Sequence, residues 1–314
     1  MKQLCFALSL VLLLSSCQKD LTSKDEVITA VVASDANSPL KSHTLTFTSD
    51  YPVKPGEVPP FSFTKTQYSD ARIKTIRMLS RKNPIHPEFK KEAVELIGTF
   101  TYAPNTIGYY PDAPHLAYLN GTSEVWEYYK TPAGVGTRKS ISKKNVNFRF
   151  FITPEGYCMA IEDLTSGTAE TVLQVGYNPD RPHVIDIINV PASTLYYPNY
   201  DQYGNVTGFH FPYGEPQSYL HISYDYSSPR GNKNFSFIPS QNLISQEFSL
   251  LEVMQWVPQP THARKSAGGI FKVNGVKVYQ DQVYKNYMFD VNGNQKSLTY
   301  GDNILQKTSW HVQP

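Results

Sequence analysis

Phe271-Lys272-Val273-Asn274-Gly275-Val276-Lys277-Val278-Tyr279 sets the fold class. Apolar β-formers at 271, 273, 276 and 278 flank an Asn-Gly pair. A two-residue type I′ turn needs positive φ at both central positions, which Asn and Gly take at least cost. Its twist also matches the strands that it joins. The stretch predicts a β-hairpin closed by Asn274 and Gly275.

The same grammar recurs in both directions along the chain. Ile73 to Leu79 and Val94 to Tyr102 are strand-like runs. Leu116 to Tyr129 carries a turn signal at Asn120-Gly121, Phe148 to Ile161 at Pro154-Glu155-Gly156, and Val172 to Ile188 at Asn178-Pro179-Asp180. Residues 43–48 alternate and predict a first strand, after which Pro52, Pro55, Pro59 and Pro60 impose an extended loop. The chain holds 22 Tyr, 16 Phe and 3 Trp, residue types that suit a pleated, half-buried surface. One helix is expected near 243–257, where Ile244, Phe248, Leu251 and Met254 share a helical face. Asn242 or Ser245 caps its start and Pro258 ends it. The fold class is therefore mainly β: an antiparallel, twisted β-meander or open sheet of successive hairpins, with one helix.

The N-terminal residues point to a compartment. Met1-Lys2-Gln3 is a short positive start, and Leu4 to Leu14 is apolar but too short to stay in a bilayer as a helix. Small residues follow, as in a signal peptide. Leu14-Ser15-Ser16-Cys17 resembles the lipobox of bacterial lipoproteins. That resemblance implies a signal peptide over 1–16, a diacylglyceryl group on Cys17, and a membrane held as partner through the lipid. Residues 17–42 then form the lipidated Cys and a polar tether, and 43–314 a β-rich domain. The location implied is the cell envelope, on an outer-membrane lipoprotein. Gln18-Lys19-Asp20 resembles part of a surface-export signal, which leaves the periplasmic-facing and surface-exposed alternatives open.

Composition excludes several classes. The net charge of +2 comes from scattered Lys and Arg, so no nucleic-acid partner is expected. With Cys5 in the signal and Cys17 lipidated, Cys158 has no thiol to pair with and reads as a buried, inert side chain.

Two stretches share a frame. Tyr200-Asp201-Gln202-Tyr203-Gly204-Asn205 and Phe289-Asp290-Val291-Asn292-Gly293-Asn294 both read aromatic, Asp, two residues, Gly, Asn. Asp at a turn start accepts backbone N–H bonds, and Gly takes the left-handed position of a bulged turn. Degenerate copies lie at Tyr226 to Asn232 and Tyr177 to Pro182. On these residues the chain resembles YD-repeat (RHS-like) β-meanders, and more so bacterial lipoproteins that carry such meanders after a lipobox. The resemblance covers roughly residues 70–314 and implies an open, curved sheet with no attached activity.

Catalytic and metal sites are not indicated, and no cofactor is implied. Asp290-Val291-Asn292-Gly293-Asn294 opens like a calcium loop, but its Gly stands at position four and position twelve is Gly301. His210 and His221 flank an expected hairpin and are a candidate zinc pair, set among apolar neighbours. Glu155, Glu162 and Asp163 are candidate carboxylates for a glycosidase, which needs two at a set separation.

Paired tyrosines carry the binding expectation. Adjacent residues on a strand face opposite ways, so one of Tyr109-Tyr110, Tyr128-Tyr129 and Tyr196-Tyr197 must leave the core side. Outward Tyr rings stack sugar rings or grip side chains, whereas cross-strand pairing is the plainer use. The candidate ligand-binding residues are Tyr196, Tyr197, Tyr200 and Tyr203, with Trp126 as a second anchor. The function expected is a membrane-anchored, non-catalytic binding or scaffold module of the cell envelope, with a glycan or an envelope protein as partner. The alternative is a surface polysaccharide-acting hydrolase.

Overall fold

The computed structural model describes residues 43–49, 62–68, 70, 72–81, 92–191, 194–210, 219–230, 246–273, 276–289, 295–300 and 304–312. Cys17 and the tether, Asn242 and Ser245, Asn274 and Gly275, and the frame at 290–294 lie outside them. The described strands are β1 (His43–Ser49), β2 (Ser62–Gln67), β3 (Ile73–Arg81), β4 (Glu92–Pro104), β5 (His115–Lys130), β6 (Gly136–Ile152), β7 (Cys158–Asp163), β8 (Glu170–Asn178), β9 (Arg181–Val190), β10 (Thr194–Tyr200), β11 (Val206–His210), β12 (Tyr219–Asp225), β13 (Ala263–Val273), β14 (Val276–Phe289), β15 (Gln295–Tyr300) and β16 (Ile304–Val312). One described helix, α1 (Gln246–Met254), lies between β12 and β13.

The expected meander of antiparallel hairpins with one helix is present. Each strand pairs with its chain neighbour, and β13 meets β14 with Val273 opposite Val276, a register that leaves two residues for the turn. The sequence leaves the two ends of the sheet as edges. In the structure β1 pairs with β16 from His43↔Val312 to Ser49↔Gln306, and the sheet closes into a barrel. Pairing between the two ends of a chain has no local signature, so alternation alone cannot announce it.

A barrel of this strand number encloses a channel unless something fills it. Here the filling is α1. Its Phe248, Leu250, Leu251, Val253 and Met254 join one apolar cluster to which β2 through β12 and β15 all contribute. Trp256, just beyond the helix, sets its ring edge-on to Phe100 at 5.3 Å and Phe150 at 5.2 Å. The helix ends before the expected stop at Pro258. Gln255 takes a φ of 65°. Its N–H donates to Glu252 O, while Trp256 N–H donates to Leu251 O. That pair of bonds is a Schellman cap.

Over β4 to β7 the side facing α1 carries the main apolar core, including Leu96, Phe100, Leu119, Phe150 and Ile161, with Lys144 and Asp163 on the same side. The outer side carries ion pairs beside a smaller buried apolar group of Leu116, Phe151 and Ala160. Arg77–Glu95, Lys143–Glu124 and Arg149–Glu162 are ion pairs on the outer side. The stretch Gly136–Asn147 of β6 meets no described strand on its β7 side, because β7 pairs only with Phe148–Ile152. Arg138, Lys139, Lys143 and Lys144 stand along that open edge, where charge discourages strand addition.

One turn signal is corrected. Asn120-Gly121 closes no hairpin; both residues lie inside β5, and Gly121 sits opposite Gly98 of β4. The two backbones approach there more closely than a side chain allows, so the glycines serve a contact rather than a turn. The Asp201 frame is a turn geometry that does not depend on its Asp and Asn, and the described copy at Tyr177 to Pro182 turns differently, with Asn178 paired to Arg181. Asp201 N–H donates to Asn205 O and Gly204 N–H to Asp201 O, and the same two bonds recur at Thr153 to Tyr157 and Thr131 to Val135.

Candidate functional site

The turn joining β10 to β11 builds an exposed aromatic group that is fixed from beneath. Gly204 takes a φ of 81°, which returns the chain after Tyr203. Asp201 Oδ1 accepts from Tyr203 N at 2.8 Å and Asn205 N at 2.9 Å. Its Oδ2 accepts from Asn205 Nδ2 at 2.9 Å and from the Tyr226 hydroxyl at 2.8 Å. Burial works against the Asp201 charge, but those bonds outweigh it and hold the carboxyl below its ordinary value.

Asn205 is buried and carries the group inward. Its Oδ1 accepts from Thr261 N at 2.7 Å and Thr261 Oγ1 at 3.0 Å. Its Nδ2 lies 3.2 Å from Nδ1 of His262, which is also buried. The His262 ring supports both tyrosines, at 5.1 Å from Tyr203 and 5.4 Å from Tyr226. Tyr203 and Tyr226 stand 5.2 Å apart at 41° to one another, and 39% and 50% of their surfaces are exposed. The Arg230 guanidinium lies 5.3 Å from the Tyr203 ring centre. The result is a shallow wedge of two rings edged by a carboxylate and a guanidinium.

The four expected tyrosines are not brought to one face. Tyr196 is buried in the barrel core. Tyr197, its neighbour, stacks on His210 at 5.4 Å. Tyr200 uses its hydroxyl on the backbone of Ile185, donating to O at 3.0 Å and accepting from N at 2.7 Å. Burial raises its pKa to about 12. Tyr203 alone of the four reaches the surface wedge. Trp126 is engaged on the outer side of β5: Nε1 donates to buried Glu95 at 2.9 Å, and Arg138 covers the ring at 4.0 Å. Tyr128-Tyr129 splits as alternation on β5 requires, and Tyr109-Tyr110 splits in the loop between β4 and β5, where Tyr110 takes a φ of 52°. Tyr109 is exposed while Tyr110 packs on Phe151 at 4.6 Å, and Tyr129 is exposed while Tyr128 packs against Leu79 and Ala93.

The other candidates are placed as follows. Glu155 is exposed on a turn, Glu162 is ion-paired to Arg149 on the outer side, and Asp163 accepts from Thr165 N at 2.8 Å. His221 sits opposite Gly208, two residues from His210, and both imidazoles are exposed. No group of three or more metal-binding side chains occurs among the described residues. The Cys158 thiol is fully buried and donates to Ala160 O, and burial pushes its pKa far up, which makes it inert.

Sequence reasoning finds Tyr203 and the Asp201 frame, marks Tyr226 only as the start of a degenerate copy, and misses Thr261 and His262. Pro260-Thr261-His262 carries no periodic or motif signal, and its partner Asn205 is far away in sequence.

No protein-family model matches the chain, and no curated protein matches it. Among solved structures it is similar to a porin-like protein from Bacteroides uniformis ATCC 8492, at 8% identity and a TM-score of 0.44, over 88% of this chain and 97% of that one.

Proposed function

We propose that the chain is a membrane-anchored, non-catalytic binding module of the cell envelope whose ligand is a glycan held at Tyr203 and Tyr226. The observation that carries this reading is the support beneath the two rings. His262, Asn205 and Thr261 are joined by hydrogen bonds and fix exposed aromatics before any ligand arrives. Rings held in place lose little freedom on binding. Sugar rings offer C–H faces to such a wedge, while their hydroxyls accept from the Arg230 guanidinium beside it. A glycan array probed with the purified chain is expected to give positive spots that Tyr203→Ala and Tyr226→Ala each weaken by at least about tenfold, roughly 1.4 kcal/mol. Binding that ignores both substitutions rejects the wedge.

The anchor rests on Leu14-Ser15-Ser16-Cys17. Cys17→Ala is expected to abolish metabolic palmitate labelling, and globomycin to leave a larger precursor. Label that persists on the substituted protein overturns the anchor. Membrane fractionation and protease shaving of intact cells then decide between the outer membrane's two sides. No observation gathers Glu155, Glu162 and Asp163 into a hydrolase site.

A further inference from the structure

Closure of the barrel creates a site that a flat meander lacks. On the enclosed side, beside the start of α1, the apolar core opens into a pocket of about 140 Å³. Leu96, Phe150, Ile161 and Leu250 make its floor, and all four are buried. Lys144, Asp163 and Glu247 stand at its rim, and no ion pair joins them among the described residues. Asp163 spends one oxygen on Thr165 N, which leaves the other for a ligand. Glu247 is the acidic residue in the first turn of α1, a position where an acid also favours the helix. One ammonium against two carboxylates leaves the rim negative.

We propose that this pocket binds a small primary amine with an apolar body of about six carbons. Size and charge both point there. Apolar cavities of roughly 150 Å³ take up a benzene-sized group. A negative rim above an apolar floor selects a cationic head on such a body and disfavours a carboxylate. The wedge at Tyr203 and Tyr226 shares no residue with the pocket, so the glycan reading and this one stand or fall separately.

The test is calorimetric titration of the purified chain with hexylamine, hexanol and hexanoate. Hexylamine is expected to saturate one site, about tenfold more tightly than hexanol, since each half-exposed carboxylate adds modestly. Hexanoate is expected to bind weakest. Asp163→Asn combined with Glu247→Gln removes the amine's advantage and leaves hexanol binding in place. Both changes keep side-chain shape, and Asn keeps an acceptor for Thr165. Val172→Phe, in the half-buried wall, blocks all three ligands. No saturable heat with hexylamine, equal or tighter binding of hexanoate, or an amine preference that survives the double substitution overturns the proposal.

Discussion

Gly121→Ala is expected to lower the stability of the protein by about 3 kcal/mol or more, at the upper end of what overpacking costs. A Cβ built on Gly121 would lie 2.0 Å from Ile97 O and 2.7 Å from the Gly98 Cα. Both are backbone atoms, so no rotamer change relieves the clash. The strands must separate instead, and β4 and β5 are paired without a shift from Glu92↔Glu127 to Pro104↔His115. Parting them at Gly98 and Gly121 strains bonds on both sides. Gly98→Ala provides the contrast. Its Cβ meets Leu119 Cδ1 at 2.3 Å, the far end of a side chain that can turn, although Asn120 O at 3.1 Å limits the relief. A smaller loss, about 1–2 kcal/mol, is expected there. Urea denaturation of the two variants and the parent measures both. A Gly121→Ala midpoint equal to that of the parent, or a larger loss at Gly98, means that the strands are not held this close.

Asn120-Gly121 shows why part of the fold was hidden in the sequence. Asn-Gly is the strongest two-residue turn signal, and the pair at 274–275 sits where its flanking strands meet in the expected register. What separates the two pairs is Gly98, which lies across the sheet and is invisible to a local window. Short-range features were legible for the opposite reason. The Asp201 frame contains its own hydrogen-bond donors and acceptors, so its geometry follows from six consecutive residues. The helix was legible from its apolar spacing, but its end was not, because Gln255 rather than glycine takes the left-handed position of the cap. The site divides in the same way. Tyr203 was marked by its turn, while Tyr226 and His262 reach it from just beyond the end of β12 and just before the start of β13. Tyr196 and Tyr200 were misplaced on the surface because an aromatic run does not say which member of each pair faces the core.

Leu251→Ala is expected to cost about 3–5 kcal/mol, the range for a buried leucine whose cavity does not collapse. Leu251 has no exposed surface, and it lies at the centre of α1. Three features place it high in that range. The surrounding wall is a closed, hydrogen-bonded sheet, so strands cannot move inward to fill a void without breaking register. The carbonyl of Leu251 accepts the Trp256 N–H that ends the helix, so a shifted helix also displaces the ring set against Phe100 and Phe150. Beyond that ring, Trp256 O accepts from Cys158 N at 2.7 Å, which ties the segment to β7. Helix and barrel should therefore unfold together, in one transition whose midpoint drops while its denaturant slope is unchanged. Far-UV circular dichroism and Trp fluorescence followed through the same urea titration test this. If the fluorescence transition moves to low urea while the β signal keeps the parent midpoint, α1 is a separable plug, and the barrel holds its shape without it. Coincident curves with a lowered midpoint mean that the helix is the core on which the sheet closes.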